Sequence, residues 1–393
     1  MNYRKDIFVI ISNIISNIKI PLLTIFYSLS EIGTLSFSIS CAYLISLLSP
    51  RIEDSFDNKI LNSLSKKTNT IHSVFVSHIY TSIIITIVLI FFSLILGGYF
   101  KMNLNDFLVM IILIITLKTN PILTSHFKFT GKEFRYSKIL FLTNIFLIAL
   151  FFIFIDYENI IPVLFCSYLI SNCIYLFFEG KNLKWNNFNL ISLKDLIYNT
   201  KQSLLFNSVK FFGDQGVIFL SGIFLSDSNT GVISISRTLS MPLRAVQTYY
   251  QNKLYKQANA SNNFLRKENK KLFGEFHIFQ IIGICLILVG SIIYLNIFGI
   301  ESQYEIIILL TIFLSQIFLN SFRINIDIII NKYKLYPIRT LSALARIISQ
   351  FAIILIFPNV YGLVTSILIA TIIQRITFDR KIYNHHKNVI NDQ

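Results

Sequence analysis

Twelve stretches of roughly 20 mostly apolar residues follow one another along the chain, and no other feature limits its fold so severely. A hydrocarbon layer about 30 Å thick takes about that many helical residues to cross, and each backbone polar group inside it must be satisfied within its own segment. The stretches fall near residues 7–28, 34–50, 73–98, 105–125, 137–155, 158–178, 202–226, 231–252, 274–298, 303–329, 336–357 and 360–378. The second and eighth are polar for such a setting, with Ser36, Ser38 and Ser40 in one and Ser234 and Ser236 in the other, so they are expected to face protein or water. The first opens after Arg4 and Lys5 and meets no small-residue cleavage site, which reads as a retained helix. The expected fold class is an all-α polytopic membrane protein.

A net charge of +15 would suit nucleic acid if the cations clustered on a solvated face. They do not. Of the 35 lysines and arginines, all but nine fall in alternate connecting segments, among them Lys66, Lys132 and Lys267. The opposite connections hold one cation, Lys101, beside Glu31, Asp156, Glu158, Asp227 and Glu301. Cytoplasmic loops are enriched in lysine and arginine, so both termini are expected in the cytoplasm and the number of spans is even. Only 14% of residues are charged, against about a quarter in soluble domains. Cys41, Cys166, Cys173 and Cys285 lie in apolar stretches without metal-type spacing and read as small buried hydrophobes. The histidines His72, His78, His126, His277, His385 and His386 lie near predicted loops and suggest no metal site.

One phrase is written twice. IFYSLSEIGTLSFS at 25–38 recurs as IFLSDSNTGVISIS at 223–236, and at this offset the shared residues include Leu22/Leu220, Ser28/Ser226, Gly33/Gly231, Ser36/Ser234 and Ser38/Ser236. FTGKEFRYSKIL at 129–140 aligns with IINKYKLYPIRT at 329–340 at nearly the same offset. Six helices separate the copies, and an even number returns the chain to the side on which it started. The halves are therefore expected to be parallel six-helix bundles related by a pseudo-two-fold axis along the membrane normal, with a binding site near mid-depth between them. They would occupy residues 1–180 and 202–393, joined by a cytoplasmic linker at 181–201. The serine phrase would line the shared cavity twice, and Gly33 and Gly231 would sit in tight outer turns where positive φ costs glycine little.

Two transporter groups have six-plus-six parallel repeats. The major facilitator group usually carries a glycine-containing charged motif after its second helix; RIEDSFDNKILNSLSKKTNT here has no glycine. By contrast YSLSEIGTLSFSIS at 27–40, GKEFRYSKIL at 131–140, KLFGEFHIF at 271–279 and NVYGLVTSILIATIIQR at 359–375 resemble the polysaccharide flippases of the Wzx type. These belong to the multidrug/oligosaccharidyl-lipid/polysaccharide exporter superfamily, and the resemblance covers nearly the whole chain. It implies a bacterial inner-membrane protein that moves an undecaprenyl-diphosphate-linked oligosaccharide to the periplasmic leaflet for O-antigen or other surface polysaccharide of the lipopolysaccharide type. A polysaccharide polymerase and a chain-length regulator would be its partners.

The family has no strict catalytic motif, so residue roles come from charge and depth. Eight cations lie inside the predicted spans: Lys19, Lys118, Lys210, Arg237, Arg244, Arg323, Arg346 and Arg375. Acids there are mainly Asp214 and Asp327. Charge at the bilayer centre costs about 2.5–3.5 kcal/mol on insertion scales and normally faces an interior or a water path. A surplus of cations suits a diphosphate, whose oxygens match guanidinium forks bidentately. Arg237, Arg346 and Lys210 are the leading candidates, with Lys19 and Arg323 beside them and Ser36, Ser38, Ser234 and Ser236 as polar lining. Lys118, Arg244, Arg323 and Arg375 lie toward the inner face, where long side chains reach headgroups. Lys210 with Asp214 and Arg323 with Asp327 are each four residues apart. Either each pair neutralises itself, or the acids are sites for H⁺ or Na⁺ coupling. Pro21 and Pro242 are expected to kink the first and eighth helices.

No enzyme constellation and no glycine-rich phosphate loop is present, and neither a cofactor nor a metal is expected. An ion-coupled multidrug exporter of the same superfamily is the nearer rival. A membrane polysaccharide polymerase or glycosyltransferase is the more distant one, because it is expected to carry a long outer loop and every predicted outer loop here is short.

Overall fold

The computed structural model describes residues 18–47, 68–130, 132–155, 160–179, 215–247, 267–321 and 336–379, together with 8, 11, 12, 14–16, 49, 52 and 211. All regular structure among these residues is helical. The elements are α1 (Lys19–Leu23), α2 (Leu29–Leu47), α3 (Thr68–Tyr99), α4 (Leu104–Thr130), α5 (Glu133–Ile153), α6 (Ile161–Phe165) and α7 (Ser167–Glu179). They continue with α8 (Gly216–Phe224), α9 (Asp227–Leu239), α10 (Lys267–Ile297), α11 (Gln303–Ser321), α12 (Tyr336–Ile356) and α13 (Val360–Gln374), which runs into a π-helical turn at Arg375–Asp379. Each of the twelve predicted segments contains helix, and seven of the helices are long and apolar enough to cross a membrane. The protein is an all-α polytopic membrane protein. The linker expected at 181–201 lies outside the described residues.

Two compact units divide the chain: Met1–Ser16 with Thr34–Phe211, and Asn17–Gly33 with Phe212–Gln393.

In the first unit α3 packs on α4, and α4 and α5 pack on α6 and α7. Its core includes Phe75, Ile79, Leu123, Phe127, Leu140 and Tyr175. A polar network threads this core: the Tyr136 hydroxyl lies 2.8 Å from Asn120 Oδ1 and 2.6 Å from Asn172 Oδ1, and Asn172 Nδ2 donates to Thr119 Oγ1 at 3.3 Å. Buried Glu179 pairs with Lys132 and, at 3.0 Å, with Arg135. His78 and His126 are fully buried on α3 and α4 rather than near loops as expected; His78 Nδ1 lies 2.6 Å from the Val74 carbonyl, and the His126 ring packs 4.2 Å from Phe75. Imidazole can be buried here because a backbone carbonyl and aromatic faces accept it.

In the second unit α9 packs on α1, α8, α11 and α13, α10 packs on α11, and α12 packs on α13. Both predicted proline breaks occur in it. After Pro21 the helix stops at Leu23, and the Pro21 carbonyl accepts from Thr24 Oγ1 at 2.6 Å and from the Tyr294 hydroxyl. Near Pro242 the break is at Ser240, whose hydroxyl donates to the Arg237 carbonyl at 2.6 Å before helix resumes at 241–247.

Cysteine burial was expected throughout. Cys41 is buried and Cys166 half-buried, but Cys173 and Cys285 are exposed. In a membrane protein the outer surface is as apolar as the core, so an apolar neighbourhood in sequence does not imply burial.

Candidate functional site

The repeated phrase builds the same local device twice. Ser28 and Glu31 form a reciprocal capping box at the start of α2: the Ser28 backbone N–H donates to Glu31 Oε2 at 2.9 Å, and the Glu31 N–H reaches back to Ser28 Oγ at 3.4 Å. At the equivalent place on α9, Ser226 Oγ accepts from the Asn229 N–H at 3.3 Å. A capping serine that satisfies a free N–H starts each helix within its own phrase, earlier than the residues 34 and 231 expected from hydropathy.

Gly33 and Gly231 therefore lie inside helices, and neither has positive φ, which overturns their assignment to turns. Their purpose is close approach. A Cβ on Gly33 would lie 1.8 Å from the carbonyl oxygen of Asp227, and one on Gly231 would lie 2.0 Å from that of Leu29. Leu29 and Asp227 are themselves repeat partners, so the contact is reciprocal, as a two-fold relation between these two helix starts requires. Only a missing side chain lets the backbones meet at this distance.

The earlier start moves Arg237 deeper. It lies ten residues from Asp227, about 15 Å along α9 at 1.5 Å per residue, which is half of a 30 Å membrane. The side chain is buried, at 7% exposed, in the last turn of α9, where the helix C-terminus favours a cation. Lys19, on the neighbouring α1, is also buried, at 6%. Among the described residues of the second unit, Lys19 and Arg237 are the buried charged side chains, and both are cations.

Arg346 is half-buried on α12, again ten residues and about 15 Å from that helix's far end at Ile356. It belongs to a stripe that the sequence reading missed. Ser342, Arg346 and Gln350 recur at four-residue spacing, with Ser342 and Gln350 buried, while Leu341, Leu344, Ile348 and Leu355 are exposed on the other side. Gln374 on α13 donates to Ser342 Oγ at 2.6 Å, tying the stripe to α13. Four-residue spacing of polar residues in an otherwise apolar helix was the available signal.

Ser36, Ser38, Ser234 and Ser236 are all at most 2% exposed. Ser236 Oγ contacts the carbonyls of Val232 at 2.8 Å and Ile306 at 3.1 Å, so it joins α9 to α11. Lys210, Asp214, Arg323 and Asp327 lie outside the described residues.

One inner-face cation departs from expectation. Lys118 is buried, at 7% exposed, and its Nζ donates to the Ser46 carbonyl in the last turn of α2; its own carbonyl accepts from Ser82 Oγ at 2.8 Å. It does not extend to the headgroups, because a helix C-terminus with unsatisfied carbonyls lies within reach.

No protein-family profile matches the chain, and no curated protein matches it. Solved structures do. An inward-facing multidrug resistance MATE transporter of the MOP superfamily superposes with a TM-score of 0.62 at 12% identity, over 98% of this chain and 95% of the transporter. An outward-facing conformation of such a transporter gives 0.59 at 11%, over 98% and 96%. The lipid II flippase MurJ, in an inward closed conformation, gives 0.63 at 15%, over 97% of this chain and 88% of the flippase. Across nearly its whole length, the chain has the fold that these MATE transporters and the MurJ flippase share.

Proposed function

We propose that the protein is an inner-membrane flippase that carries an undecaprenyl-diphosphate-linked oligosaccharide from the cytoplasmic to the periplasmic leaflet by alternating access, for O-antigen or related surface polysaccharide synthesis. The observation that carries this reading is the burial of Lys19 and Arg237 in the second unit, at about half membrane depth for Arg237. Two cations held away from water suit an anionic ligand: a diphosphate offers bidentate oxygens to the guanidinium and a point-charge partner to the ammonium. Arg346 lies at a comparable depth on a polar helix face and would extend the cationic site. The fold shared with the lipid II flippase MurJ supports the substrate class. Lys210 and Arg323 would join these cations, Ser36, Ser38, Ser234 and Ser236 would line the path, and Asp214 and Asp327 would take a coupling H⁺ or Na⁺. Both termini would be cytoplasmic. A polymerase and a chain-length regulator would use the delivered units.

The second reading is an ion-coupled multidrug exporter. It is favoured by the equally full superposition on multidrug MATE transporters. Proteoliposomes separate the two. A flippase moves a fluorescent undecaprenyl-diphosphate oligosaccharide across the bilayer, with Arg237→Ala reducing the rate at least tenfold, and leaves a cationic dye where it is. Dye transport without lipid transport establishes the exporter instead.

A further inference from the structure

An apolar groove of about 300 Å³ runs between α10, α11 and α13, lined by Ile284, Leu288, Leu314, Phe318, Leu368 and Ile372. This is the low end of the size range of ligand sites. Two hydroxyls also line it, and both are occupied along their own helix: Thr311 donates to the Ile307 carbonyl at 2.9 Å and Ser315 to that of Thr311 at 2.8 Å. The groove wall therefore offers hydrocarbon only. It is open to the bilayer side, since Ile372 and Thr311 are exposed and α10 exposes Ile281, Ile282, Leu286 and Val289 beside it.

One end of the groove has the opposite character. Arg375 follows Ile372 by three residues, and Gln280 precedes Ile284 by four, so each shares a helix face with a lining residue one turn away. The His277 ring lies 5.9 Å from that of Phe318, and His277 neighbours Gln280 and Arg375. Gln280 is fully buried beside His277, so this end of the groove is polar where the wall is hydrocarbon. All three residues lie toward the N-terminal end of α10 and the C-terminal end of α13, the ends that the lysine and arginine distribution assigns to the cytoplasm.

We propose that this groove is a binding site for an anionic phospholipid of the cytoplasmic leaflet, with one acyl chain along Ile284, Leu288, Leu314 and Leu368 and the phosphate at Arg375. Charge complementarity selects this occupant. A zwitterionic lipid brings an ammonium toward the Arg375 guanidinium, whereas an anionic headgroup brings none. Each methylene buried in the groove contributes little selectivity, because lipid tails and the groove are alike; the headgroup end decides.

The test uses the full chain, purified in detergent, delipidated and offered phosphatidylglycerol or phosphatidylcholine, with native mass spectrometry and thermal unfolding as readouts. The wild type is expected to retain one phosphatidylglycerol about tenfold more tightly than phosphatidylcholine and to unfold at a higher temperature with it. Arg375→Gln should erase the preference, read as the ratio of phosphatidylglycerol to phosphatidylcholine retained by the folded variant. Leu368→Trp, which fills the groove, should abolish retention of either lipid; Thr311→Phe fills it from the exposed rim if the first variant does not fold. Equal retention of the two lipids by the wild type, or an unchanged preference in Arg375→Gln, overturns the proposal, as does unchanged retention in a folded groove-filled variant.

Discussion

The α-carbon of Gly33 lies within about 3.3 Å of the carbonyl oxygen of Asp227, since a Cβ built on it would stand 1.8 Å from that oxygen. Gly231 repeats the relation toward Leu29. At this separation the pair makes reciprocal Cα–H···O contacts, each worth about 0.5–1 kcal/mol. Two helix starts, each launched by a serine cap, are thereby locked backbone to backbone.

Adding a methyl group at either glycine must push these helices apart. Gly33→Ala and Gly231→Ala are each expected to cost about 1–3 kcal/mol, the usual range for overpacking. Gly98→Ala, where a Cβ meets nothing within 4 Å, is the control and should hold or slightly gain stability. Thermal unfolding of the purified variants decides it, and an unaltered Gly231→Ala would mean the close approach is absent.

Lys118 should be hidden from water. A water-soluble amine-acylating reagent applied to the folded protein is expected to leave it unmodified while reacting with exposed Lys138. Replacing it by methionine keeps most of the stem and leaves the Ser46 carbonyl with the Ser49 hydroxyl at 3.3 Å, so the cost is that of one charge-assisted hydrogen bond, about 1.5–3 kcal/mol. Ready acylation of Lys118 would restore the headgroup-reaching reading.

If Arg237 and Arg346 hold a diphosphate, Arg237→Ala and Arg346→Ala each abolish surface polysaccharide while the protein remains in the membrane. Lysine at either position restores it in part, since it keeps the charge and loses the fork. Normal polysaccharide in the double alanine variant removes both residues from the site.

Sidedness is open to a direct measurement. With single cysteines introduced in a cysteine-free background, Asp227→Cys is expected to react with an impermeant thiol reagent in whole cells and Lys267→Cys only after lysis. The reverse pattern would invert the topology and, with it, the direction of transport and the leaflet assigned to the lipid groove.

Much of this protein is decided by local chemistry and is therefore legible in the chain itself. Segment length against bilayer thickness sets the spans and prolines 21 and 242 set the breaks, while the serine caps that start α2 and α9 ahead of residues 34 and 231 are local signals that hydropathy alone passed over. What the sequence withheld depends on partners distant along the chain. Gly33 reads as a turn glycine until the Asp227 backbone is placed against it, because close approach and positive φ demand the same missing side chain. Lys118 reads as an interface lysine until the end of α2 is brought to it, 72 residues away. The exposure of Cys173 and Cys285 was illegible for a related reason: in hydrocarbon the inside and the outside of a bundle are equally apolar, so hydropathy that reports membrane depth carries no record of which face packs, and only the tertiary structure supplies it.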